Sequence, residues 1–185
     1  GFVFINEDPD CMPLHDYLAP LPDHFHRWRL EDCFRAVHVG KIIPANWKAT
    51  AEAFMEAWHS TETHPQILPY TGDSNTRYDI WGDHVNRAIT PFGVLSPTLY
   101  DSGKSEQDIL DEFLKMNSLG GDASITAQLP DGKTARQAIG DINRKRFTES
   151  GGVDLMDASD SEMQDAYTYN VFPNFAPWGG FTPNI

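Results

Sequence analysis

The stretch between Pro44 and Pro65 constrains this chain more than any other. Proline cannot continue a helix and pushes the residue before it toward extended backbone, so whatever forms between these two is bounded at both ends. Ahead of Pro44, Arg35 to Ile43 is rich in β-branched residues (Val37, Val39, Ile42, Ile43) and reads as a strand. Asn46 then reads as a helix cap, with Ala49, Ala51, Ala53, Phe54, Met55 and Ala57 behind it. On such a helix Glu52, Glu56 and His59 share one face, at i, i+4 and i+7. His64 follows His59 by more than one turn, so a bulge or a helix end is needed to bring the two imidazoles to one point. Pro65 supplies that end.

Around this segment the pattern alternates between strands and helices. Phe2 to Ile5 reads as a strand, Asn6 to Pro13 as turns, and Leu14 to Leu18 as a short helix. Arg77–Trp81 and Val85–Thr90, separated by a short turn, predict a β-hairpin. Ile109, Leu110, Phe113 and Leu114 fall at helical spacing within Gln107–Met116 and form a core stripe. Thr134–Phe147 is a second, more polar helix, and Ser161–Ala166 a short third. Tyr167–Phe172 is a buried strand that stops at Pro173, and the apolar Trp178–Phe181 reads as a flexible tail or a strand without a neighbour. Strands at both ends with helices between predict an α+β fold.

Composition narrows the functional classes. The 185 residues fit one domain with a real core. Twenty-seven acidic against 14 basic residues give a net charge of −13, a surface that repels phosphate backbones and argues against nucleic acid as a partner. No apolar run is long enough to span a membrane, and the stretch after Gly1 has no basic leader, so it reads as a strand entered in mid-domain and not as a signal peptide. Two cysteines, Cys11 and Cys33, cannot make a disulfide framework and sit in no Cys-x-His or Cys-x-x-His pair. Reduced thiols point to a cytoplasmic protein.

Two neutral imidazoles with carboxylates nearby suit a non-haem Fe(II) site of the two-histidine, one-carboxylate kind, which leaves positions open for dioxygen and substrate. On spacing alone, two unrelated histidines near a helix end are the favoured reading. The neighbouring residues say more. Asn46-Trp47-Lys48, Glu52, Phe54, Glu56, an aromatic at Trp58, His59 and His64-Pro65 together resemble the iron-binding segment of Rieske-type ring-hydroxylating oxygenase α subunits. Gly1–Leu18 resembles the segment that leaves the Rieske domain in that family, and Phe172-Pro173-Asn174 resembles its Phe-Pro-Asn strand beside the substrate pocket.

The resemblance implies a helix-grip (START/Bet v 1-like) fold, an antiparallel sheet wrapped around a long helix, here as a truncated catalytic domain over residues 1–185. It implies His59 and His64 as ligands of a mononuclear Fe(II), and Phe54, Phe172 and Asn174 beside the substrate pocket. Glu56 matches the acidic position that bridges the iron site to the Rieske cluster of a neighbouring subunit, where Asp is commoner, and Glu52 a supporting acid. The family's third ligand, an Asp well downstream of Phe-Pro-Asn, has no counterpart before Ile185, and the acids Glu62, Asp79 and Asp83 have no context that recommends them instead. The Rieske 2Fe–2S domain is likewise not encoded. The implied parent enzyme hydroxylates a small aromatic substrate with dioxygen, takes electrons from a reductase or ferredoxin, and assembles as a homotrimer or α3β3. Two other expectations are a monooxygenase or demethylase of the same family acting on a quaternary ammonium or methoxy substrate, and a metal-free ligand-binding module. His84, His24 and His26 are expected as hydrogen-bonded or surface histidines without a catalytic part.

Overall fold

The fold is given by a computed structural model that describes residues 2–116, 126–151 and 154–180. Phe181, the end of the apolar tail, lies outside the described residues. Seven helices and four strands organise them: α1 (Leu14–Leu18), α2 (Leu21–Phe25), α3 (Trp47–Glu52), α4 (Ser60–Thr63), β1 (Arg77–Trp81), β2 (Val85–Thr90), α5 (Glu106–Met116), α6 (Ala135–Gly151), α7 (Asp160–Gln164), β3 (Ala166–Val171) and β4 (Trp178–Gly179). The strands form one antiparallel sheet in the order β1-β2-β3-β4. This is the expected α+β, helix-grip-like class. No helix among the described residues is long and apolar enough to cross a membrane, and Cys11 and Cys33 are free and exposed.

The hairpin, α1, and the helices and strand that follow form close to where the pattern puts them. Thr134 starts α6 by a reciprocal cap with Gln137: each side chain accepts from the other's backbone N–H, at 3.3 and 3.0 Å. The α5 stripe is core, packed on Tyr70 and on Ala135, Ala138 and Ile139 of α6. Asp165, at the head of β3 and almost fully buried, takes a two-pronged bond from Arg136 of α6 (2.6 and 2.9 Å) and a further bond from the Phe92 N–H. That pair fixes the helical layer to the end of the sheet.

Two predicted strands do not form. Arg35–Ile43 is irregular and its Val37, Val39 and Ile42 stay exposed; β propensity measures fit to a half-buried pleated surface, and among the described residues no strand pairs with it. Phe2–Ile5 is irregular and joins no strand among the described residues, with edge-on contacts of Phe2 and Phe4 to the Phe175 ring at 4.9 and 5.1 Å. Conversely Trp178–Gly179 is no loose tail. It pairs with Tyr167 and Thr168, and a side chain at position 179 would overlap the Trp28 ring, so only glycine lets the strand lie there.

The sheet has two unlike faces. On one, Val85, Ile89, Tyr167, Tyr169 and Val171 pack on Leu21 and Phe25 of α2. Arg87 lies half-buried among them, paired with Asp79 (2.6 Å) and set over the rings of Trp81, Tyr167 and Tyr169 at 5.0 to 5.9 Å. His24, expected at the surface, is half-buried against this cluster, its Nδ1 3.0 Å from the Tyr169 hydroxyl and 3.4 Å from the Arg87 guanidinium. The other face carries a cross-strand row, Tyr78, Ala88, Thr168 and Trp178, in which two small buried residues lie between two half-exposed aromatics.

Two tests follow from these contacts. Asp165→Ala leaves Arg136 without its buried partner and should lower the unfolding free energy by about 3–5 kcal/mol in urea melts. Burial, and then the Arg87 cation, lower the His24 pKa against the opposing pull of Asp23 and Asp79. The unfolded chain therefore binds the extra proton first, so stability holds above the unfolded histidine pKa of about 6.5 and falls as pH drops through the lowered folded value. The same melts across that interval should show the loss in the parent chain and a flatter profile in His24→Phe; identical profiles would remove His24 from the account.

Candidate metal centre

The helix predicted to carry Glu52, Glu56 and His59 on one face is not continuous. Asn46 caps α3 as expected, its Oδ1 accepting from the N–H groups of Lys48 and Ala49 at 2.9 and 3.4 Å. The helix then tightens, Met55 N–H bonding back to the Glu52 carbonyl, and stops. Glu56 holds the segment that follows: its Oε2 accepts from the backbone N–H of Trp58 and, at 3.2 Å, of His59, where the chain enters a new helical turn. That turn is α4, with His59 at its N-terminal end and His64 at its C-terminal end, stopped by Pro65.

The break is what brings the histidines together. On an unbroken helix a five-residue separation turns the second side chain about 140° away from the first. Here the two imidazole rings stand edge to face, 5.3 Å between centroids. Two imidazoles each bound to one metal at about 2.1 Å place their ring centres on the order of 5 Å apart, so the spacing suits a shared ion.

Glu56 also sets the chemistry of the first ring. Its Oε1 lies 2.5 Å from His59 Nδ1, and a carboxylate can only accept, so Nδ1 carries the proton and the Nε2 lone pair is left for a ligand. Partial burial works against the Glu56 charge, but the bonds from the His59 ring and from the His59 and Trp58 N–H groups outweigh it and hold the carboxyl below its ordinary pKa. The donor set therefore fits the nitrogen half of a non-haem iron site. Among the described residues no third His, Cys, Asp or Glu joins the pair. Glu52 and Glu62 are exposed, Asp83 is in an exposed turn, and Asp79 is taken up by Arg87.

The remaining predicted residues fall in two places. Phe54 lies against Trp178 at 5.9 Å between centroids, so the segment after α3 crosses the Tyr78–Trp178 row of the sheet. Phe172 and Asn174 line a cavity of about 580 Å³ closed by Val3–Asn6 and α1, without Phe54. Trp47 bridges toward it, 6.0 Å from the Phe172 ring. His84 is hydrogen-bonded, Nε2 2.7 Å from the Tyr17 carbonyl, with its ring stacked on Tyr17. One residue close to the histidines had no signal in the sequence: Asp73, 2% exposed, which accepts from Thr61 of α4.

An α+β domain thus carries two imidazoles at the ends of one helical turn, one of them oriented by Glu56. The family model described as "Ring hydroxylating alpha subunit (catalytic domain)" matches residues 22–177, and the chain belongs to that family. A glycine betaine monooxygenase oxygenase subunit from Chromohalobacter salexigens is 28% identical over 68 residues, 37% of this chain. The matched part is 15% of that protein's length, so the chain spans only a small share of this relative. No solved structure matches.

Replacing Glu56 by Gln keeps the shape but exchanges one acceptor oxygen for a donor amide, so the side chain cannot serve both the His59 ring and the two backbone N–H groups. The lost charge-assisted bond is worth about 1.5–3 kcal/mol. The His59 ring should shift from the Nδ1–H toward the Nε2–H tautomer, read from its ¹⁵N ring shifts by NMR. Unchanged shifts in Glu56→Gln would show that Glu56 does not fix the ring.

Proposed function

We propose that this chain is the part of an oxygenase α subunit that supplies His59 and His64 to a mononuclear Fe(II). The observation that carries this reading is the convergence of the two imidazoles, with Glu56 fixing the tautomer of one, in a chain of the ring-hydroxylating family. The iron, when bound, supplies activation of dioxygen. The chain's own residues hold and orient: His59 and His64 present nitrogen lone pairs, and Glu56 keeps the His59 ring in register. Phe54, Trp178 and Tyr78 offer aromatic surface beside them, and Phe172 and Asn174 belong on this reading to the substrate side. The substrate class is a small aromatic compound, hydroxylated with dioxygen. A Rieske 2Fe–2S cluster not bound by this chain, fed by a reductase or ferredoxin, delivers the electrons. Glu56 is the bridge toward it across a subunit boundary, in a homotrimer or an α3β3 assembly.

One observation favours a second reading, a monooxygenase acting on a methylated ammonium compound. The relative with 28% identity is a glycine betaine monooxygenase subunit, and position 56 carries Glu in place of the commoner Asp. Exposed aromatic faces such as Phe54 and Trp178 are the surface that binds such cations.

Anaerobic Fe(II) titration tests the shared core of both readings. Two neutral imidazoles do not offset the charge of a dication, so the 185-residue chain should bind Fe(II) reversibly and lose it on dialysis. His59→Ala and His64→Ala should each abolish even that binding. Fe(II) uptake unchanged in both variants would refute the site.

A further inference from the structure

The single turn that separates the two histidines cannot hold itself. Four helical residues are far below the length at which a helix is stable alone, and α4 has only that many. Its N-terminal end is held by Glu56 and its C-terminal end runs into Pro65. Between them, Thr61 extends its Oγ1 to Oδ2 of Asp73 at 3.4 Å.

Asp73 is an unusual place for that hydroxyl to end. The carboxylate is 2% exposed, and no Lys or Arg among the described residues pairs with it. A buried carboxylate without a cation has to be satisfied by hydrogen bonds. Its Oδ1 takes one from Ser96 Oγ at 2.7 Å; Ser96 is itself fully buried and fixed to Leu68 through its backbone N–H at 2.9 Å. The Asp73 carbonyl takes another from Thr76 Oγ1 at 2.6 Å, and Thr76 is joined to Thr90 at the end of the hairpin at 2.9 Å. Asp73 therefore stands where the loop after His64 crosses the loop after β2, tied to both. A cavity of about 100 Å³ lies beside this anchor, lined among others by Asp73, Thr61, Ala57, Trp58 and Tyr78.

We propose that Asp73 is a positioning residue for the histidine pair: through Thr61 it pins α4 to the Ser96–Thr76 anchor and so sets the distance between His59 and His64. The inference rests on the two histidines acting as joint ligands. Thr61 is two residues past His59 and three before His64, so the tether acts at the middle of the turn. Without it α4 is held only at its ends and can unwind or rotate, and the edge-to-face approach of the rings is lost.

The probe is Cu(II)–iminodiacetate, which brings its own carboxylates and amine and needs only two imidazoles from the protein. The whole 185-residue chain is titrated, with EPR counting the bound imidazole nitrogens and thermal melts recording stability. The parent chain should give a two-nitrogen signal that His64→Ala reduces to one. Thr61→Val removes the hydroxyl and leaves Asp73 bound to Ser96. It should weaken binding about three- to tenfold, the worth of one such bond, and move the spectrum toward one nitrogen without a change in melting midpoint. Thr61→Ser, which restores the hydroxyl, should recover both affinity and spectrum. Asp73→Ala should weaken binding at least as much, and the Thr61 pair decides the matter if that variant does not fold. A two-nitrogen signal with equal affinity in Thr61→Val overturns the role of Asp73 while leaving the histidine site standing. A parent chain with no two-nitrogen signal overturns the histidine site itself, and the positioning role with it.

Discussion

Everything specific about the candidate centre depends on where the Glu56 carboxylate spends its two oxygens. A glutamate in mid-helix points outward and competes for nothing. Here one oxygen accepts from the backbone of Trp58 and His59, and the other from the His59 ring. The first interaction holds the backbone where the chain enters α4. The second decides which imidazole nitrogen is free. A single side chain thus makes the backbone geometry and the ligand chemistry depend on each other. The low carboxyl pKa is part of the same arrangement, since only the charged form can accept from all three donors.

That arrangement also marks the limit of what the sequence could reveal. The alanine-rich run after Asn46 has high helix propensity, and propensity alone carries the helix through His59. Glu56 reads as one more helix former, because whether a carboxylate caps its own backbone or faces solvent is decided by the tertiary position of the turn that follows. The need for a helix end before His64 was legible, from five-residue spacing and Pro65; its place after Glu52 was not. The hairpin, the α5 stripe and the buried β3 were legible because each buries a regular periodic face against a neighbour. Arg35–Ile43 has the same residue types without a neighbour, and composition cannot show a missing partner. Asp73 was invisible for the converse reason: its environment is three hydroxyl residues, Thr61, Thr76 and Ser96, that converge only in space.

The two faces of the sheet divide the labour of the aromatic residues. On the α2 face Trp81, Tyr167 and Tyr169 enclose a cation, but the cation is the protein's own Arg87, neutralised by Asp79 and capped by His24. Hydrogen bonds to Tyr169 and Asp79 outweigh the cost of burial and keep the guanidinium charged. This cluster closes the face and fixes α2 on the sheet. Its three ring faces are taken up by Arg87.

The opposite face also presents aromatic surface, where Ala88 and Thr168 form a low floor between Tyr78 and Trp178. The segment from Phe54 to Thr61 crosses that row, with Phe54 on Trp178 at one end and Ala57, Trp58 and Thr61 around Tyr78 at the other. The Glu56 charge is close enough to raise the Tyr78 pKa, after the larger effect of that ring's own partial burial. A flat arene gains from this surface by stacking and burial alone. A methylated ammonium gains in addition from the ring faces and from the neighbouring carboxylate, but only if Glu56 is not already spent. In this structure it is spent, on three donors. The face as built thus offers aromatic area between Tyr78 and Trp178, beside a Glu56 carboxylate already engaged by three donors.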